Sequence, residues 1–389
     1  MQKRPFLRAT ALALAIAALP LSSAIAQEKK FKIGLILPMT GPFASTGRQI
    51  ENGVRLYMQE QGSKVAGHQI ELIIKDDGGL PDMSKKIAQE MVVNDKVNVI
   101  AGFGLTPLAL AAAPIATQSK TPMVIMAAAT QSIIDASPYI IRTSQTLPQV
   151  TSGIGDWAAK TGIKTAVSLV FDYGPGFDAE RTFKHRFTLG GGKILGELRV
   201  PLRNPDFAPF LQKVRDLKPD ALFVFTPAGP GAALVKQFAE RGLDKAGIKL
   251  IGHGAFLDDD GLNEMGDTAI GVVTSDVYSP AHPSALNKKF VAGFTKIAKG
   301  GRPNFFGVAA YDGARVIYEA LKTTKGAGGG DALLAAMKGQ NFESPRGPVL
   351  IDAQSRDIVQ NVYIRRAERV NGEIYNVEFD TIKDVKPKQ

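Results

Sequence analysis

The sequence predicts an α/β protein built as two doubly wound parallel-sheet lobes. Short β-branched runs alternate with amphipathic stretches from Phe31 onward, and the pattern restarts at Thr165 after a proline-containing segment. Two segments, 97–126 and 220–252, also share one layout of strand, Gly/Pro turn, Ala-rich helix, Lys-containing turn and strand. Alternation with short connections makes parallel βαβ units, in which helices cover both faces of a sheet.

The first strand is expected over residues 31–37, a continuous apolar run broken only by Lys32 and Gly34. After a Pro/Gly turn, Ile50, Val54, Tyr57 and Met58 fall at i, i+4, i+7 and i+8, the apolar stripe of a helix. A strand over 70–74 follows, then a helix marked by Ile87, Met91 and Val92. A strand over 97–101, an Ala-rich helix over 109–116 and a strand over 123–126 complete this stretch.

The second lobe opens with a strand over 165–170 and a helix over 179–189, which three glycines at 190–192 end, because Gly takes positive φ cheaply. Strands over 193–200, 221–225 and 248–251 alternate with helices led by Phe207 and Ala232. Two Pro-containing segments without periodicity, at 146–148 and 278–283, are expected to cross between lobes. Helices near 286–298 and 308–321 then return to the first lobe, with the glycine-rich stretch 326–330 expected as a flexible surface linker. A last crossing near 358–362 sends strands at 362–364 and 374–377 onto the second lobe. The expected lobes are thus 27–147 with 279–358, and 148–278 with 359–389.

The chain has 389 residues, 44% hydrophobic and 22% charged, enough for two domains with cores of their own. No cysteine is present, which excludes a disulfide framework, a thiol nucleophile, Cys-ligated zinc and iron–sulfur chemistry. The histidines, His68, His185, His253 and His282, form no metal-ligand spacing, so neither a metal nor a cofactor is expected. No GxxxxGK[ST] loop or GxSxG elbow occurs. Gly102-Phe103-Gly104 follows a strand, but Pro107 stands where a third dinucleotide-binding Gly would be needed. The run Asp258-Asp259-Asp260 reads as an acidic helix N-terminus rather than a metal site.

Lys3, Arg4 and Arg8 precede an apolar run over 9–19, and Ala24-Ile25-Ala26 gives a small-x-small cleavage pattern. Together these make a secretory signal peptide over 1–26, with an apolar stretch too short to span a bilayer. The expected product starts near Gln27 and, lacking a cysteine there, carries no lipid anchor. The formal charge is +10. Its lysines and arginines are dispersed rather than clustered with aromatics, so no nucleic acid is expected as partner; weak attraction to anionic surfaces or solutes stays open.

Small polar turns follow the strands: 38–42, 102–107, 127–130, 172–176, 226–231 and 252–254. In open parallel sheets ligands collect outside the carboxyl ends of strands, and helix N-termini there favour anions. Thr106 and Thr130 are placed to offer hydroxyls to a carboxylate, the competing reading being that each merely caps a helix. Six such turns in two lobes favour a cleft between them.

With those turns in view, the chain resembles the periplasmic binding proteins of branched-chain amino-acid transporters. The resemblance rests on Ile33-Gly34 to Pro38, Thr40-Gly41-Pro42, Gly47, Asn52-Gly53 and Asp76-Asp77. It continues through Val99 to Gly102, Ala112 to Ala116, Ala127 to Thr130, Asp172-Tyr173-Gly174, Tyr311-Asp312-Gly313, Gly347-Pro348 and Asp352. It implies a type I periplasmic binding fold, with two lobes, three crossings and a ligand captured by hinge closure. It further implies a periplasmic, monomeric, non-enzymatic carrier whose partner is the membrane permease of an ABC transporter.

By the same resemblance, Thr106, Ala128 and Thr130 hold a ligand carboxylate from the first lobe. Tyr173, Thr226 and Pro227 contact the ligand from the second, and Phe305 or Phe306 supplies an aromatic wall. Two departures matter. The turn that carries an acid for the ligand ammonium reads Gly252-His253-Gly254-Ala255-Phe256, and an aromatic position in the first lobe is Thr46. A buried ammonium left unpaired costs several kcal/mol, so the expected ligand is a carboxylate without an amine. An aromatic acid of benzoate or cinnamate type fits, with His253 bonding a ring substituent or serving a structural role. An aliphatic amino acid, amide or urea held by Asp172 or Asp258, a periplasmic sensor, and an exported enzyme are the competing expectations.

Overall fold

The computed structural model describes Gln2 and residues 29–387, so the expected signal peptide lies almost wholly outside the described residues. The chain enters a first sheet through β1 (Lys29–Leu37), followed by α1 (Ala44–Gln61), β2 (Lys64–Val65), β3 (His68–Asp76) and α2 (Pro81–Val93). It continues with β4 (Val99–Gly102), α3 (Thr106–Ser119), β5 (Met123–Ile125) and β6 (Ile140–Arg142). The strand order is β2-β3-β1-β4-β5-β6, parallel except for the β2–β3 pair.

The second sheet starts after α4 (Leu147–Lys160), whose first turn is closed by a reciprocal capping box between Thr146 and Gln149. Then come β7 (Thr165–Phe171), α5 (Gly174–Leu189), β8 (Lys193–Val200), α6 (Ala208–Leu217) and β9 (Ala221–Phe225). After α7 (Gly231–Glu240), β10 (Lys249–His253), α8 (Leu262–Met265) and β11 (Val273–Asp276), the chain leaves again for α9 (Ala285–Ile297), α10 (Phe305–Thr324) and α11 (Gly329–Met337). α10 lies directly on α1: a Cβ added to Gly53 would sit 2.2 Å from the Gly307 carbonyl oxygen, so only glycine permits this approach.

β12 (Asn341–Ser344), β13 (Gly347–Ile351), β14 (Ile358–Val370) and β15 (Glu373–Val385) complete the second sheet in the order β12-β13-β14-β11-β10-β9-β7-β8, with β15 on β14. Backbone pairing therefore carries the chain onto the second sheet at Asn341, ahead of the expected crossing near 358. The side chains of Phe342, Val349 and Ile351 nonetheless pack into the first lobe's core. The hairpin lets one segment serve both lobes.

Three expectations need correction. The second sheet is mixed rather than all parallel, because β14 runs antiparallel to β11. The β14–β15 strands span 13 residues each, far beyond the short runs expected at 362–364 and 374–377; Arg365, Arg366, Glu368 and Arg369 hide their alternation. The glycine-rich stretch is not all linker: Gly329 and Gly330 open α11, and a Cβ on Gly330 would meet the Lys120 carbonyl oxygen at 1.7 Å.

The crossings are held by buried guanidinium groups. Arg142, at the end of β6, faces Asp357 at 3.0 Å. Arg346 pairs with Asp312 at 2.7 Å and donates to the carbonyls of Thr143 and Ser144. Arg365 sits between Asp259 and Asp276, both at 3.3 Å, and donates to the Tyr278 carbonyl. All three arginines are fully buried. Burial pushes the carboxyls of Asp357, Asp312 and Asp276 upward, and the adjacent guanidinium opposes this in each case. Removing one member of such a pair strands the other charge. Asp357→Ala is therefore expected to cost about 3–5 kcal/mol, read as a lowered urea midpoint; an unchanged midpoint would show that Arg142 does not need this partner.

Candidate functional site

Each sheet has a point where its strand order reverses, between β1 and β4 in the first and between β7 and β9 in the second. Connections leaving a sheet in opposite directions there open a crevice beyond the strand ends. The two crevices face each other. Between them lies a cavity lined from the first lobe by Thr46, Gly104–Thr106, 127–129 and Phe305–Phe306. Tyr173, Pro175, 225–228, His253 and Ala255 line it from the second lobe, and Gln145 and Leu147 from the first crossing.

Of the residues singled out in the sequence, Thr46, Thr106, Ala128, Tyr173, Thr226, Pro227, His253 and Phe306 all line this cavity. Thr130 stands just behind it. Its hydroxyl lies 2.8 Å from that of Thr106, both residues being buried. Neither hydroxyl caps a helix: the N-cap of α3 is Leu105, and Thr130 makes no side-chain cap. In a hydroxyl pair one proton bridges the oxygens and the other stays available, so the couple keeps one O–H to donate. Thr226 instead donates its proton to the Pro227 carbonyl.

The loop carrying Ala128 and Thr130 is fixed from behind by Arg142, which donates to the carbonyls of Ala128, Thr130 and Gln145. The peptide that offers the Thr130 carbonyl to Arg142 offers its other end, Gln131 N–H, to Asp178 of the second lobe at 2.8 Å. Gly174 abuts Thr130 from the same side; a Cβ there would approach the threonine hydroxyl to 2.7 Å. The lobes also meet where Ser45 donates to Asp260 and Asn304 donates to both oxygens of Asp258. The acidic run is thus not a helix N-terminus. Its side chains bridge to the first lobe and, through Asp259, to Arg365.

Aromatic groups form much of the wall. Tyr173 stacks on Phe225 with centroids 6.1 Å apart, and Phe305 and Phe306 lie 3.9 Å apart. His253 sets its edge against Phe225 and Phe305 at 5.4 and 5.7 Å. Burial pushes the Tyr173 phenol well above its ordinary range and lowers the His253 imidazole to about 3, with the Arg365 charge adding to the latter. His253 is therefore neutral. Its ring nitrogens are both engaged by protein, Nδ1 accepting from Ala255 N–H and Nε2 facing Gln145 at 2.8 Å. The expected role of bonding a ring substituent thus has no free nitrogen to perform it. Gln145 is the residue that sequence reasoning missed. The polar run Thr143-Ser144-Gln145-Thr146 directly after an apolar strand was the available signal.

No residue lining the cavity carries a carboxylate. Asp258 is buried against Asn304 and does not line it, and Asp172 is exposed. Among the described residues no group of His, Cys, Asp or Glu could hold a metal, and no helix is long and apolar enough to cross a membrane.

Residues 30–373 match the periplasmic binding protein family. The chain belongs to that family. This periplasmic binding protein is 39% identical over 373 residues to a Leu/Ile/Val-binding protein homolog from Brucella abortus, covering 95% of this chain and 96% of the relative. It superposes with a TM-score of 0.90 on an ABC-transporter solute-binding protein from Rhodopseudomonas palustris BisB5 solved with 3,4-dihydroxybenzoic acid. That protein is 60% identical, with 92% of this chain and 98% of the other covered. A second R. palustris solute-binding protein, solved with 4-hydroxybenzoate, is 41% identical, with a TM-score of 0.90 and the same coverage. This periplasmic binding protein is accordingly a solute-binding component of an ABC transporter that works with a membrane permease, and it is not an enzyme.

Burial also gives the interlobe contact a pH dependence. Desolvation, reinforced by Asp260 and Asp259, raises the Asp258 carboxyl to about 8, against an unfolded value of about 3.9. Between those values the folded chain holds a proton that the unfolded chain has lost, so this group's contribution to stability falls as pH rises. Asp276, raised to about 6, acts with the same sign over a narrower range. The thermal midpoint is expected to fall from pH 5 to pH 8, and Asp258→Asn to flatten the part between pH 6 and 8. A variant with an unaltered profile would remove Asp258 as its source.

Proposed function

We propose that this periplasmic binding protein captures an aromatic monocarboxylate, of benzoate or cinnamate type, by hinge closure over the interlobe cavity. The observation that carries this reading is an aromatic-walled cavity without any lining carboxylate. An α-amino acid would bring an ammonium with no counter-charge, at a cost of several kcal/mol. A carboxylate alone finds the spare proton of the Thr106–Thr130 couple beside the N-terminus of α3. Tyr173, Phe225, Phe305 and Phe306 then offer flat apolar faces to a ring. The two R. palustris proteins with aromatic acids bound, at 60% and 41% identity, support the same class. The carrier would act as a soluble monomer, released by cleavage near Ala26 and without a lipid anchor.

A thermal-shift panel tests this directly, since a ligand at 100-fold its Kd stabilises by about 2.7 kcal/mol. Benzoates and cinnamates are expected to raise the midpoint, while leucine, valine and small amides leave it in place; the reverse pattern would sink the aromatic reading. Thr106→Ala is expected to weaken binding by about 1.5–3 kcal/mol, the range for a hydrogen bond to a charged group. Unchanged affinity would place the carboxylate elsewhere.

A further inference from the structure

The Gln145–His253 pair has a donor problem whose solution specifies part of the ligand. A backbone N–H can only donate, so the Ala255 N–H at 3.1 Å requires a lone pair on His253 Nδ1. The imidazole is neutral, so its single proton sits on Nε2. Nε2–H then faces Gln145 at 2.8 Å, and the amide atom opposite it must be an acceptor. The amide nitrogen placed there would oppose donor to donor. Amide oxygen and nitrogen are interchangeable in shape, and the hydrogen-bond network decides between them. The network here puts Oε1 on His253 and turns the NH₂ group to the other side of the amide. The atom on that side is fully buried and has no hydrogen-bond partner. Gln145 itself is 1% exposed and lines the cavity.

We propose that Gln145 is a specificity-determining residue whose NH₂ group donates to a lone pair on a ring substituent, selecting hydroxylated aromatic acids over unsubstituted ones. His253 acts as the positioning residue. It spends Nδ1 on Ala255 and Nε2–H on Gln145, and the edges it sets against Phe225 and Phe305 hold its plane. A buried amide donor left without an acceptor costs about 1–3 kcal/mol. A benzoate leaves it so, whereas a phenolic oxygen satisfies it. The ligand carboxylate is assigned to the Thr106–Thr130 couple, so the group that meets Gln145 is the distal one. This inference rests on the aromatic-acid reading above.

The test is calorimetric titration of the full mature chain with benzoate, 4-hydroxybenzoate, 4-aminobenzoate and 4-methylbenzoate. The wild type is expected to bind 4-hydroxybenzoate at least tenfold tighter than the other three: the methyl group lacks a lone pair, and the amino group brings donors to a donor. Gln145→Leu is expected to lose at least tenfold for 4-hydroxybenzoate while benzoate stays within threefold. A ¹⁵N NMR spectrum is expected to show the Nε2–H tautomer of His253, a readout that does not depend on the variant folding. Preference for 4-aminobenzoate, an Nδ1–H tautomer, retained discrimination in Gln145→Leu, or an equal loss for benzoate would each overturn the proposal. A wild type that binds none of the four would instead overturn the aromatic-acid reading itself.

Discussion

The molecule depends on charges that it has taken out of water. Arg142, Arg346 and Arg365 are buried completely, the first two each paired with one buried aspartate and Arg365 with two. Such pairs add little net stability over well-packed apolar groups, because desolvation offsets attraction. What they supply here is direction. Arg142 and Arg346 together take up the carbonyls of Ala128, Thr130, Thr143, Ser144 and Gln145, and Arg365 takes that of Tyr278. The backbone at the first two crossings, and the loop behind the cavity, are thereby oriented by cations lying outside the ligand's reach. The cavity itself stays free of formal charge.

That separation lets hydroxyl groups and aromatic faces lie side by side in one small space. The strand reversals bring two helix N-termini and several small turns to the same place, and the polar groups there are hydroxyls, an amide and a neutral imidazole. Each is tied to a neighbour: Thr106 to Thr130, Thr226 to Pro227, His253 to Ala255 and Gln145. Thr226 and His253 thereby spend their single protons within the protein, and the Thr106–Thr130 couple keeps one.

The α/β class, two lobes and most strands could be read from the sequence, because parallel βαβ units leave a strong local trace; of the nine residues singled out, most of them through the family resemblance, eight line the cavity. Turn residues follow strand ends by necessity, which is why Thr106 stood out, whereas Tyr173 and Thr226 were marked by the family resemblance. Less legible were features set by partners distant in the chain. Gln145 gains its importance from His253, 108 residues away, and the acidic run at 258–260 gains its role from Ser45, Asn304 and Arg365. The long β14–β15 hairpin did carry a local sign in Asn371-Gly372, both at positive φ, the dipeptide of a tight hairpin turn. The charged residues around it obscured the strand alternation.

The interleaving of the chain also governs when the protein can fold. Thr146, at the first crossing, donates its hydroxyl proton to the Pro387 carbonyl, and Gln149 in the next turn donates to the carbonyls of Ile358 and Val385. The first lobe lacks α9 to α11 until residue 337 has emerged, and the second lacks β14 and β15 until almost the end. Contacts of such large sequence separation form slowly, because chain closure must precede their reward. Neither lobe can therefore complete its core on a partial chain. Completion of either lobe thus waits on segments from the last part of the described chain, which ties the folding of the two lobes to each other.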